Sequence, residues 1–158
     1  MHLIAESLSA EAFAPYGDVL EAPEEPGRIY FDAGLGNGRP AAHPSLSVTH
    51  TLPPAALPLQ AVCMERHEFS SQSFLPLDAG PWLVIVAPKG AGGRPDVGKA
   101  RAFVAGPRQG ITYRPDVWHH PLSVLERPAQ FYIFMWQDGS AADTELVTLD
   151  APFTVGLR

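Results

Sequence analysis

The chain has 158 residues, of which 46% are apolar and 18% charged, which suits one globular domain and excludes a disordered tail protein. Its 17 prolines, about twice the usual share of ~5%, recur along most of the chain and exclude a bundle of long helices. The net charge of −6, with lysine only at 89 and 99, gives no basic footprint for nucleic acid or for an anionic membrane surface.

The N-terminal stretch Leu3–Glu6 reads as an opening strand. It lacks the basic region and apolar run of a secretory signal. Ser9 to Phe13 reads as one helical turn capped by Ser9 and ended by Pro15 and Gly17. Pro23 to Pro44 is a long loop rich in Pro, Gly and Asp, with a short strand expected at Ile29–Phe31. A loop of that length in a compact domain is either functional or mobile.

Strands are then predicted at Leu46–Thr51, Leu59–His67, Gln72–Pro76, Trp82–Ala87, Ala100–Val104, Gly110–Tyr113, Gln130–Trp136 and Glu145–Leu149. Gly- and Pro-rich breaks separate them, most clearly Pro88–Pro95, which reads as a hairpin loop. It is not a phosphate loop, because no Lys-Ser/Thr pair and no long helix follow. The spacing predicts a single mainly β domain over 1–158, a sandwich or small barrel with short helices. The longest mainly apolar stretch, Pro81–Pro88, is far shorter than the ~20 residues of a membrane span. One cysteine, Cys63, allows no disulfide within the chain and, between Val62 and Met64, reads as a small buried hydrophobe. A cytoplasmic location is the expectation.

Two polar clusters interrupt the apolar strands. In the first, alternation along an extended Leu59–His67 puts Ala61, Cys63, Glu65 and His67 on one face, and Val62, Met64 and Arg66 on the other. Glu65 and His67 would then lie about 6.5–7 Å apart along the strand, within reach of one ion or one small molecule. The plain alternative is an exposed strand end with weak ion pairs. The second cluster, Tyr113–Pro121, holds His119 and His120 side by side. In extended backbone only one of them can face a given pocket, so the other must pack, cap or meet solvent.

These clusters carry a family resemblance. Glu65-Arg66-His67-Glu68-Phe69-Ser70-Ser71-Gln72-Ser73-Phe74-Leu75-Pro76-Leu77 resembles the central motif of the bacterial ureidoglycolate lyases, also called ureidoglycolate hydrolases. So do Gly110–Tyr113 and Trp118-His119-His120-Pro121-Leu122, with Phe13–Val19 and Ala102-Phe103 ahead of them. The resemblance implies a cupin-like double-stranded β-helix, a small β-barrel, and a homodimer. It also implies cleavage of ureidoglycolate to glyoxylate and urea in allantoin and purine nitrogen catabolism. The alternatives are a divergent cupin enzyme for another small hydroxy or amido acid, and a non-catalytic small-molecule-binding cupin.

Carried onto this chain, the resemblance implies His67, His119 and Glu65 as catalytic residues. Gln72, Tyr113, His120 and Arg114 become substrate-binding residues. It also associates Ni2+ with the activity, with Glu65, His67, Gln72 and His119 as the ligand set, although these residue types do not demand that metal. A neutral histidine suits the base near pH 7. Glu65 would orient an imidazole or, if burial raised its pKa, act as the acid. The chain departs from the family pattern at Thr49-His50 and Met135-Trp136, where arginine-bearing positions are usual, and at Glu68, where proline is usual.

Overall fold

The computed structural model describes residues 1–52 and 54–158. The first elements are β1 (His2–Ile4), β2 (Glu6–Ser7), the short helix α1 (Ala10–Phe13) and β3 (Gly17–Leu20). The predicted cap is present: the Ser9 hydroxyl accepts the Ala12 N–H at 3.2 Å, and Phe13 is fully buried. Then come β4 (His43–His50), β5 (Leu59–Arg66), β6 (Gln72–Asp78), β7 (Trp82–Ala87) and β8 (Arg101–Ala105). The last are β9 (Gly110–Tyr113), β10 (Trp118–His119), β11 (Ser123–Val124), β12 (Gln130–Gln137) and β13 (Glu145–Gly156).

The strands form two sheets, β3-β9-β6-β12-β4 and β1-β13-β5-β10-β7-β8-β2, with β11 also paired to β7. Together they make a mainly β, nearly closed barrel of cupin-like form. Between the sheets lies an aromatic core that includes Phe13, Phe74, Trp82, Phe103, Tyr113 and Phe131. Trp82 and Phe131 meet edge to face at 5.1 Å, a geometry the aromatic quadrupole favours. Burial of each such ring contributes roughly 1.5–3 kcal/mol. Every residue of β7 is buried. Val84 and Val86 face the inter-sheet core, and Leu83, Ile85 and Ala87 face a second cluster with Met64, Trp118 and Phe153. That two-sided burial explains an uninterrupted apolar run in place of alternation. Among the described residues, no helix is long and apolar enough to cross a membrane.

Three sequence expectations need correction. The expected strand at Ile29–Phe31 does not form: Ile29 and Tyr30 are exposed, no sheet edge pairs with them, and a 3-10 turn follows at Asp32–Gly34. The end of that loop is instead stitched to the segment after β5. Gly38 N–H donates to Phe69 O at 2.6 Å, Ser71 N–H to Gly36 O at 2.9 Å, and Gly36 N–H to Ser71 Oγ at 3.0 Å. The final strand runs on past Leu149 to Gly156 and takes β1 as a parallel neighbour, His2 opposite Thr154. Pro152 is tolerated because it sits where β13 shifts register between Thr148 and Phe153. That same shift breaks the alternation of β5. Ala61 and Met64 share the second core cluster, so Ala61 does not belong to the Glu65 face.

Candidate active site

β5 and β10 pair directly, with His119 opposite Glu65, and His119 is also opposite Val86 of β7. His67 follows the last residue of β5. On the other sheet, Tyr113 of β9 pairs with Gln72 of β6, and Gln72 pairs with Met135 of β12. The two rows face one another. The Tyr113 ring lies flat on the His119 ring, 4.1 Å between centroids and 14° between planes. The rings of His67 and His119 are 5.4 Å apart.

Glu65, His67 and His119 each direct one potential ligand atom to a common point, all within 4.8 Å of one another. Both imidazoles are oriented by backbone carbonyls. His67 Nδ1 meets Asp143 O at 2.7 Å, and His119 Nδ1 meets Val117 O at 2.9 Å. A carbonyl only accepts, so Nδ1 carries the hydrogen in both rings, which leaves Nε2 as the atom that can present a lone pair. Neither Nε2 has a hydrogen-bond partner, although both are buried. Glu65 Oε1, at 3.5 Å from His119 Nε2, is too distant for a good one. Gln72 Oε1 is likewise buried and unpartnered, while its amide nitrogen is directed toward Met135 Sδ at 3.8 Å. Buried acceptors without donors are costly. Several converging on one place call for a proton donor or a cation from outside the protein.

The site electrostatics follow from these contacts. Burial pushes the Glu65 carboxyl upward, but the adjacent His119, His67 and His120 outweigh it, and its pKa falls below the ordinary carboxylate value. Glu65 is therefore a carboxylate near neutrality, and the acid role that burial was expected to give it is not supported. Burial, with the neighbouring His119, lowers the pKa of His67, so it is neutral at pH 7. Burial also lowers that of His120. The buried Tyr113 phenol is shifted upward and stays protonated. Burial and the nearby Glu65 raise Cys63, which stays a thiol.

The other sequence candidates take different places. His120 leaves the strand, and its Nδ1 is held by Pro121 O at 2.9 Å and Ser123 Oγ at 3.2 Å. Arg114 donates to Ala14 O and faces Asp18 at 3.6 Å. Arg66 lies over the Trp118 ring at 4.7 Å and pairs with Asp116 and Glu145. Alternation along β5 had placed Arg66 opposite Glu65, and the structure agrees. Asp143, whose carbonyl orients His67, was not singled out in the sequence. The only signal there was the turn chemistry of Asp138-Gly139-Ser140 before the last strand.

Nickel fits this donor set. Glu65, His67 and His119, with Gln72 beside them, offer one carboxylate, two imidazole lone pairs and an amide oxygen, a mixed nitrogen and oxygen set that suits a divalent transition ion.

Comparison with known proteins identifies the family of the chain. The family model described as ureidoglycolate lyase matches residues 1–156. A protein of Agrobacterium fabrum (strain C58) is 40% identical over 154 residues, covering 97% of this chain and 94% of its own. The ureidoglycolate lyase of Pseudomonas fluorescens (strain Pf-5) is 38% identical, covering 83% of this chain and 82% of its own. That of Brucella anthropi is 37% identical, covering 83% and 80%. Among solved structures, a dTDP sugar isomerase from Desulfovibrio desulfuricans G20 shares the fold, with a TM-score of 0.51, 15% identity, and coverage of 85% of this chain and 83% of that one. With the match running through the strands that carry Glu65, His67 and His119 and on to the end of β13, the chain belongs to the ureidoglycolate lyase family.

Proposed function

We propose that this chain is a lyase that cleaves ureidoglycolate to glyoxylate and urea in allantoin and purine nitrogen catabolism. The observation that carries the reading is the convergence of one carboxylate and two imidazole lone pairs inside the barrel. The substrate carbon bears a hydroxyl, a carboxylate and a ureido nitrogen. Cleavage removes the hydroxyl proton as the carbonyl forms, and returns a proton to the nitrogen as the C–N bond breaks.

His119 performs both transfers. Its Nε2 lone pair takes the hydroxyl proton, and the imidazolium so formed is stabilised by the Glu65 carboxylate at 3.5 Å. The same Nε2–H then protonates the departing ureido nitrogen. Tyr113, stacked on the ring, keeps the imidazole plane fixed through this exchange. His67 Nε2 and Gln72 Oε1 accept N–H groups of the ureido end, which satisfies two orphaned acceptors. The Tyr113 phenol and His120 are the groups proposed for the carboxylate, because the guanidiniums of Arg66 and Arg114 are already engaged. Glu65, His67, His119 and Gln72 are also the residues that would hold a nickel ion; their lone pairs would then be engaged on the metal, which would supply positive charge to the oxygen that becomes the carbonyl in place of the His119 proton relay.

Purified chain incubated with fresh ureidoglycolate, with and without added nickel, is expected to release glyoxylate and urea in equal amounts. Ammonia should stay at the level of an enzyme-free control, since the substrate also decays unaided. Stoichiometric ammonia would mean attack at the ureido carbonyl and would overturn the lyase chemistry. No rate above the control in either condition would overturn ureidoglycolate as substrate.

The enzyme is proposed to act in the cytoplasm as a homodimer. The outer face of β4 and β12 supports a second copy as partner. Leu46 pairs with Phe134, Val48 with Tyr132, and Pro44 with Trp136, all on one face. Leu46 and Val48 are 68% and 58% exposed. None of these six residues is charged, so two acidic chains can meet there without like-charge repulsion, and β4 is an edge strand free to pair across a two-fold axis. Light scattering should give twice the chain mass for the wild type and the single-chain mass for Val48→Lys. A monomeric wild type would remove the proposal.

A further inference from the structure

The long loop before β4 reaches the site through one side chain. Arg39 is largely buried, 14% exposed at its side chain. Its guanidinium donates to Asp143 Oδ1, lies 2.9 Å from Asp138 Oδ2, and donates to Ser140 Oγ at 3.2 Å. It also sits over the Phe69 ring at 5.6 Å. The Asp143 carboxylate further accepts Asp138 N–H at 3.1 Å and Gly139 N–H at 2.8 Å. Residues 138–143 are thus tied into one small knot around Arg39 and Asp143.

The knot matters because of what its backbone does. The Asp143 carbonyl is the acceptor that holds His67 Nδ1 at 2.7 Å, and Thr144 Oγ1 adds a contact at 3.3 Å. If the 138–143 turn moves, His67 loses the partner that sets its tautomer, and Nε2 no longer presents a fixed lone pair beside Glu65 and His119. The Arg39 end is itself anchored: its N–H donates to Asn37 Oδ1 at 3.0 Å, and the neighbouring Gly38 N–H to Phe69 O. The clamp therefore joins the segments that flank His67 on both sides in space.

We propose that Arg39 is a positioning residue for the reaction, acting through Asp143 on the tautomer and aim of His67. The proposal rests on the reading of His67 as a site residue. It gives the loop at 23–44 a function that neither its composition nor the motifs announced. Partners of this kind, one step behind a site histidine, are typically worth 10–100-fold in activity or metal affinity.

The test measures the His67 ring directly, so that its outcome does not depend on the substrate assignment. In the wild type, 15N NMR of labelled imidazole should show His67 in the Nδ1–H form at neutral pH. In Arg39→Met this should give way to a mixture of tautomers. With ureidoglycolate, kcat should fall 10–100-fold with a smaller change in KM, and millimolar guanidinium should restore part of the loss. Nickel titrated calorimetrically into the metal-free variant should bind 10–100-fold more weakly than to wild type. Arg39→Lys, which keeps the charge but not the fork, and Asp143→Asn should fall between, and they carry the test if Arg39→Met does not fold. An unchanged His67 tautomer in the folded variants would overturn the proposal, even if activity fell, because the effect would then be on the fold alone. If the tautomer changes while no variant or wild type turns over ureidoglycolate, the positioning role stands and the substrate assignment fails.

Discussion

His119→Asn is expected to lower kcat by a hundredfold or more, in the range usual for loss of a group that transfers protons in the transition state. His119 is 1% exposed and stacked on Tyr113, so alanine would leave a hole in the stack and mix folding with chemistry. Asparagine keeps an N–H for the Val117 carbonyl and a planar amide against Tyr113, and it lacks the Nε2 lone pair. His120→Ala should leave kcat within a few-fold of wild type, because the Nδ1 contacts of His120 are to Pro121 and Ser123 and not to the cluster. Its cost should appear in KM, through a weaker hold on the substrate carboxylate, and in the melting temperature. Steady-state kinetics and thermal denaturation of the two variants separate these roles. Equal losses of turnover, with both proteins folded, would mean that both rings enter the chemistry and that the assignment of His119 as the sole proton carrier is wrong.

Glu65→Gln and His67→Gln should each lower kcat/KM by a hundredfold or more, and the double variant should lose little beyond either single one. Groups that serve one transition state are not additive. Glu65 loses the negative charge that steadies the His119 imidazolium, while His67 loses the oriented lone pair. The same residues set the pH dependence. Burial lowers the pKa of His67, so its neutral form survives below the usual ~6.5, and its own contribution to the acid limb of kcat/KM should lie below that value. The sign for stability is the same. Between the folded and unfolded pKa values of His67 the unfolded chain binds more protons, so stability present above about pH 6.5 is lost as pH falls through the folded value. His120, also lowered by burial, adds to that loss. Glu65, lowered by its histidine neighbours, adds a further loss at more acidic pH. Denaturation midpoints between pH 8 and 5 should decline for wild type and decline less for His67→Gln. A flat profile for the wild type would contradict a neutral, buried His67.

Much of this was legible along the chain. Local chemistry defined the helical turn at Ser9, the run of short strands, and the break at Pro88–Pro95, because capping, β-branching and proline act over a few residues. The Glu65 and His67 pair could be read from alternation, since two residues two apart on a strand share a face wherever that strand lies. The failures are equally specific. Ile29–Phe31 has strand composition but no edge to join. β13 passes through Pro152 because a register shift there needs no proline N–H, and its parallel neighbour β1 comes from the other end of the chain.

The choice between His119 and His120 depended on which residue lies opposite Glu65, and that is a property of the β5–β10 register. The ionisation of Glu65 depended on whether burial or three nearby imidazoles won. The tautomers of both site histidines were decided by the carbonyls of Asp143 and Val117, one of them 76 residues away from its ring. Residue types and short-range spacing thus named the chemical groups of the site. Long-range strand pairing and the clamped turn at 138–143 decided which atoms of those groups face one another, because hydrogen-bond direction and mutual charge exist only once distant segments are packed together.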